Sequence, residues 1–255
     1  MSPDPIDHVL AALIRREPVQ QPVAVVVAHP DDETIGAGPL LPLFRRLLLV
    51  HVTDGAPRNL RDAHAYGFDT ATSYATAREA ELQAALRAGG ITAERRNLGI
   101  PDQGASLDLS GLAATLRRLL ADTAMVLTHA YEGGHPDHDS VAFAVQASGR
   151  PRIEMALYHA APNGGIETGS FLPGGPPDTA LPLTPAEQAM REAMLDGFTT
   201  QQATLRPFRG ATQLRLRPAP IHDFTRPPAA RVYYDDFDWA MTSTRWRELA
   251  AAALP

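Results

Sequence analysis

Two short runs hold most of the side chains that could do chemistry. His29-Pro30-Asp31-Asp32-Glu33 places a histidine and three acids in five residues, and His135-Pro136-Asp137-His138 repeats the His-Pro-Asp triplet and adds a second histidine. His29 and Asp32 lie three residues apart across a turn that Pro30 stiffens, so an imidazole nitrogen and a carboxylate oxygen can reach one cation. His138 supplies a third ligand. Two histidines and one carboxylate with a position left for water is the ligand count of a catalytic zinc site. The same set suits iron(II), but zinc is the better expectation because Asp31 and His135 supply the proton traffic of hydrolysis. Asp31, adjacent to a ligand and not needed as one, is the candidate base for the water's proton. His135 is placed to stabilise an oxyanion or to protonate a departing amine. Glu33 reads as a first-turn carboxylate of the following helix, a structural role.

These residues need a scaffold that brings two distant runs to one edge. Val23 to Ala28 is a continuous apolar run, as a strand buried on both faces should be, and Leu47 to Thr53 reads the same way. Between them Thr34 to Arg46 is expected to carry a helix, followed later by a helix over Ser73 to Ala88 that stops at Gly89-Gly90. Glu94 to Leu98, Met125 to His129 and Arg152 to His159 read as further strands, with helices around Leu112 to Leu120 and Val141 to Ala147. This alternation predicts an α/β, Rossmann-like fold with a mostly parallel sheet flanked by helices, its core over about 22–160. In such sheets ligands bind beyond the carboxyl ends of the strands, where both histidine runs fall. Pro162 to Pro182, with five glycines and five prolines, reads as a long surface loop, and Thr184-Pro185-Ala186-Glu187 opens a helix to about Gln202. The remainder of 161–255 reads as an irregular C-terminal extension of the same single domain, 1–255.

Bulk properties remove several classes. The formal charge is -6 with arginines spread along the chain, which gives a nucleic acid nothing to bind. No apolar run approaches the roughly 20 residues that span a bilayer, and MSPDPIDHVL lacks the features of a signal peptide, so a cytoplasmic location is expected. There is no cysteine, hence no thiolate ligand or nucleophile. All 23 basic residues are arginine, which removes Schiff-base lysines and the Walker-type phosphate loop. Of the other histidines, His51 reads as a core residue, His8, His64 and His222 as surface, and His129 and His159 as partners that could orient a ligand. A homo-oligomer is left open.

AHPDDE after a valine strand, with a later GGHPDHDS, resembles the LmbE/PIG-L family of zinc-dependent N-deacetylases, which includes enzymes of mycothiol, bacillithiol, glycopeptide-antibiotic and glycolipid-anchor biosynthesis. The likeness runs from Val23 to about His159 and includes Thr53 to Gly55, Arg78 with Glu81, and LGIPDQ at Leu98 to Gln103. It implies zinc on His29, Asp32 and His138, Asp31 as base and His135 as stabiliser of the intermediate, in agreement with the chemical reading. It also implies that Arg78 and Asp102 hold sugar hydroxyls; a helix salt bridge to Glu81 or Glu79 is the alternative for Arg78. Some thiol-pathway members carry a tyrosine where this chain has Gly133, so no such tyrosine is implied here. The function expected is removal of an acetyl group from an N-acetylglucosamine-type amino sugar or its conjugate, a small-molecule partner. An alternative is an amidase for a larger thiol or lipid-linked conjugate, with the 162–182 loop as cap and Arg206, Arg209, Arg215 and Arg217 meeting an anionic group. A non-catalytic Rossmann-like binding module is disfavoured, because the first strand-to-helix turn holds HPDDE and no glycine-rich pyrophosphate loop.

Overall fold

A computed structural model describes residues 5–254; residues 1–4, the start of the stretch read for a targeting signal, lie outside it. The strands are β1 Val19–Val27, β2 Phe44–Pro57, β3 Glu94–Asp102, β4 Met125–His129, β5 Arg152–Met155, β6 Tyr158–Ala160, β7 Ile166–Thr168, β8 Thr179–Pro182 and β9 Gln213–Pro218. The α-helices are α1 Pro5–Arg15, α2 Asp32–Ala37, α3 Arg61–Ala65, α4 Ala71–Ala88, α5 Leu109–Leu119, α6 Pro136–Ala147, α7 Pro185–Asp196, α8 Gln202–Leu205 and α9 Ser243–Ala253. Seven strands form one sheet in the order β3-β2-β1-β4-β5-β9-β8. The pairs from β3 to β5 are parallel, and β9 and β8 add on antiparallel.

The valine run explains the layering. Val23, Val25 and Val27 join one apolar cluster with α1, α2, α4 and α7, while Ala24, Val26 and Ala28 join another with α5, α6 and α9. Both faces of β1 are therefore covered, as a parallel central strand requires. β1 pairs with β2 on one side and β4 on the other, so the strand order reverses at β1. A crevice opens beyond the carboxyl ends of β1 and β4 at such a switch point.

Several expected boundaries move for local reasons. Thr34 to Arg46 is not one helix: α2 ends at Ala37, a 3-10 segment spans Gly38–Leu43, and β2 begins at Phe44. Pro39 and Pro42 have no N–H to give an α-helical ladder, which stops the helix. Arg152 to His159 is not one strand either. β5 ends at Met155, and β6 turns away to pair with β7 in a two-stranded sheet. Gly134 lies under this bend, where a Cβ would sit 2.5 Å from the Tyr158 carbonyl oxygen. The helix expected to reach Gln202 stops at Asp196, followed by Gly197, whose missing Cβ lets the chain approach the backbone of Ala85 in α4. Pro162 to Pro182 is not a plain loop, since it contributes β7 and β8. The C-terminal extension is correspondingly less irregular than expected: β9 inserts between β5 and β8, and α9 packs Trp246 and Ala250 into the second cluster. The N-terminal helix α1 went unrecognised, although Val9, Leu10 and Leu13 give it a buried stripe at helical spacing.

Candidate active site

The first motif is bent into shape by its own acids. After β1 the chain turns at Pro30, and Asp31 takes φ 142°, a value that side-chain-bearing residues rarely adopt. Glu33, fully buried, holds this turn: it accepts from the Asp31 backbone N–H at 3.1 Å, from Thr34 Oγ1 at 2.7 Å and pairs with His51 Nε2 at 3.1 Å. Backbone strain persists where the surroundings over-determine it, and Glu33 with His51 does so here. Glu33→Ala should therefore lower stability by about 3 kcal/mol, at roughly 1 kcal/mol net for each lost hydrogen bond, read as a fall in denaturation midpoint. An unchanged midpoint would show that the turn holds itself.

The second motif enters α6. His135 is its N-cap, and its Nδ1 accepts from the Asp137 backbone N–H at 3.1 Å. The hydrogen of the neutral ring then resides on Nε2, which lies 3.8 Å from Asp102 Oδ1. His138, one turn further, meets the first motif directly. His29 Nδ1 lies 3.3 Å from Asp32 Oδ2, His138 Nε2 lies 3.3 Å from Asp32 Oδ1, and the two ring nitrogens are 3.3 Å apart. Metal bonds of about 2.0–2.1 Å in a tetrahedron set ligand atoms about 3.3–3.4 Å apart, so these three side chains fit a zinc-sized ion.

The opposite edge of His29 is committed elsewhere. Its Nε2 lies 3.2 Å from Asp102 Oδ1 and 3.3 Å from Asp137 Oδ2. A hydrogen on Nε2 leaves the Nδ1 lone pair for a cation, the arrangement in which a carboxylate orients a ligand histidine. Asp137 also accepts from the Gln103 backbone N–H at 2.6 Å and the Ala105 N–H at 3.0 Å, tying the end of β3 to α6. His29, Asp102, His135 and Asp137 form a second set close enough to hold a metal. Asp137 is already filled by backbone donors and His135 Nδ1 by a cap, so this set reads as a hydrogen-bond network. His129 lies behind the cluster, stacked on His138 at 3.9 Å and with Nε2 accepting from the Ala28 N–H at 2.9 Å. His159 Nδ1 faces the carbonyl of Ala160, and the ring does not line the cavity. His222 is not a plain surface residue: its Nε2 pairs with buried Glu154.

Burial and charge set distinct protonation tendencies. Burial pushes the Asp31 carboxyl up to about 7, against the opposing pull of Arg78. Burial pushes His135 down to about 3, which keeps its ring neutral. Burial likewise takes His138 down to about 4. For Asp32 the penalty of burial is outweighed by His138 and His129, which hold it well below the usual carboxylate range. For Asp102 it is outweighed by His29, which takes it to about 2.

Arg78 is almost fully buried and bonded within the protein. Nη2 donates to the Pro30 carbonyl at 2.6 Å and to Asp31 Oδ2 at 2.8 Å, and Nη1 donates to Glu81 Oε2 at 3.1 Å. The helix salt bridge and a place beside Asp31 are thus both present. Three of the four arginines considered for an anionic substrate pair internally instead: Arg217 with Glu154 and Glu132, Arg215 with Asp178, and Arg209 with Glu192 and Asp196. Arg206 is exposed and does not line the cavity.

His29, Asp31, Asp32, Arg78, Asp102, His135 and His138 all line one cavity of about 410 Å³. The opposite wall was not anticipated. Tyr158 from β6, Phe208, and Tyr233, Phe237 and Trp239 near the C-terminus complete it. Asp137 was also missed, although it sits inside the repeated triplet. Its signal was that repetition, which gives Asp31 and Asp137 the same place in the two triplets.

The fold resembles solved structures at low identity. The A40926 pseudoaglycone deacetylase Dbv21 is 18% identical, with a TM-score of 0.61 over 78% of this chain and 97% of that one. A deacetylase of teicoplanin biosynthesis, solved with teicoplanin, is 17% identical, with a TM-score of 0.58 over 77% and 96%. The N,N'-diacetylchitobiose deacetylase of Pyrococcus horikoshii is 17% identical, with a TM-score of 0.51 over 84% and 94%. No curated protein matches the sequence. Residues 24–148, from β1 through α6, match the family model described as PIG-L, GlcNAc-PI de-N-acetylase, which makes this stretch a PIG-L (LmbE-like) family domain.

Proposed function

We propose that the protein is a metal-dependent hydrolase that removes the N-acetyl group from an N-acetylglucosamine-type amino sugar or its conjugate. The observation that carries this reading is the convergence of His29 Nδ1, Asp32 and His138 Nε2 in one cavity, with Asp31 and His135 beside them. Family membership and the acetylated sugar compounds named for the similar structures support the same substrate class.

In this reading His29, Asp32 and His138 hold the cation, and Asp102 and Asp137 keep the hydrogen of His29 on Nε2. When bound, a divalent ion such as zinc supplies Lewis-acid polarisation and a water of lowered pKa; iron(II) is the alternative ion for this ligand set. Arg78 holds Asp31 Oδ2, so Oδ1 is the oxygen that takes the proton of the attacking water. Burial favours the protonated form of this carboxyl, which suits it to hold that proton and return it to the departing amine. His135 is neutral and carries its hydrogen on Nε2, which suits it to donate a hydrogen bond to the oxyanion rather than to give up a proton. Asp102 and Arg78, which both line the cavity, are the residues proposed to meet sugar hydroxyls. No helix among the described residues is long and apolar enough to cross a membrane.

Acetate release from N-acetylglucosamine and its conjugates, with and without a chelator, tests the reading. Chelation should cut the rate at least about 100-fold, and added zinc should restore it. No acetate from any N-acetylated sugar, with zinc or iron supplied, would overturn it.

A further inference from the structure

Acids and aromatic rings both line the cavity. On the side of the cluster the acids Asp31, Asp32, Asp62 and Asp102 line it. Arg78 is the one arginine among its described lining residues, and its two terminal nitrogens are engaged with Asp31, Glu81 and Pro30. A divalent ion on His29, Asp32 and His138 together with Arg78 would be more than offset by the four carboxylates, and no further cation among the described lining residues is there to receive an anionic group, which selects against one.

A chain of rings lines the cavity beside these acids. His135 and Trp239 have centroids 4.9 Å apart, Trp239 stacks on Phe237 at 4.7 Å and 16°, and Phe237 meets Tyr233 at 4.9 Å. Tyr233 lies 6.1 Å from Tyr158, which lies 5.3 Å from His138. The arc thus leaves one motif histidine and returns to another, with Phe237 38% exposed along it. The segment is anchored: the Tyr233 N–H donates to the Gly133 carbonyl at 2.8 Å, Arg231 donates to the Ala161 carbonyl at 2.7 Å, and Arg231 also pairs with Asp236. All of the wall's aromatic residues lie outside residues 24–148, so family membership alone does not supply it.

We infer that this cavity selects uncharged amino-sugar conjugates whose neighbouring unit presents a flat apolar face to Trp239 and Phe237, and turns away phosphate-bearing ones. The inference rests on the hydrolytic reading of the same site. The flat unit is either a second sugar ring, through its C–H face, or an aromatic aglycone. Both stack on indole and phenyl rings without needing a counter-charge.

The test compares kcat/KM for acetate release from N-acetylglucosamine, its 4-nitrophenyl β-glycoside, N,N'-diacetylchitobiose and N-acetylglucosamine 1-phosphate, with the metal-loaded protein. At least one of the two neutral conjugates should exceed the free sugar by about fivefold or more, and the phosphate should fall about tenfold below it. The arm that rises tells a sugar neighbour from an aryl one. Trp239→Ala should bring the ratio of conjugate to free sugar close to one, chiefly through KM. Binding is read separately in the Asp31→Asn protein by fluorescence. The chain has two tryptophans, so quenching by the nitrophenyl glycoside that is lost in the Asp31→Asn, Trp239→Ala double variant reports Trp239. A phosphate ester turned over as well as the neutral conjugates, or a preference that survives Trp239→Ala, would overturn the inference. Quenching without hydrolysis of any substrate would sink the hydrolytic reading and leave the stacking selectivity standing; hydrolysis without quenching or preference would do the reverse.

Discussion

Asp31→Asn should lower kcat by about 10²–10⁴-fold while the protein keeps its full complement of metal, because the side chain that accepts the water's proton is lost and none of the three converging ligand atoms is touched. Asparagine has the size of aspartate and, like it, tolerates positive φ better than most residues, so the 142° turn should survive. Its amide oxygen can still accept from Arg78, which keeps that buried guanidinium paired. Kinetics and elemental analysis on one preparation check both halves. Near-native turnover would remove Asp31 as the base, and loss of metal would mean that it is a ligand.

His138→Ala should abolish turnover by the other route. The loss of any one of three protein ligands should weaken metal binding by more than the roughly 10–100-fold seen when only an outer partner of a ligand is removed. Elemental analysis after dialysis should find the variant depleted, and adding zinc in excess should restore part of the rate if Asp31 and His135 remain in place. The variant also strips His129 of its stacking partner, so folding must be followed by circular dichroism. A folded variant with full zinc occupancy would overturn the ligand set.

The two mutations separate the proton acceptor from a metal ligand, residues that lie in two different runs of the sequence. How far such roles are legible differs from residue to residue. The placement of His29 and His138 at one edge could be read because a parallel strand buried on both faces and the helix after it both leave marks in composition, and the switch-point rule does the rest. The division between Asp31 and Asp137 could not. Both follow His-Pro, but Asp31 sits in a strained turn beside Arg78, whereas Asp137 lies in the first turn of α6 and reaches the backbone of 103 and 105. That difference is made by what packs behind each triplet. Arg217 was misleading for the same reason: in a proline- and arginine-rich stretch it reads as free to meet an anionic group, yet β9 carries it between Glu154 and Glu132, 4% exposed. The aromatic wall left no periodic signal, since 231–239 runs over the site in short turns whose register is fixed by contacts to 133 and 161.

The antiparallel attachment of β9 to β5 also bears on how the chain is made. Synthesis runs from the N-terminus, so every ligand atom exists once His138 has left the ribosome, well before the strand that borders β5 has been translated. Until Gln213–Pro218 arrives, Ile153 to Met155 present a bare hydrogen-bonding edge, the kind of surface on which nascent chains join one another. The same late segment leads on to the rings that close the cavity. A chain interrupted before it would carry its reactive groups in the open, on a sheet with a sticky margin.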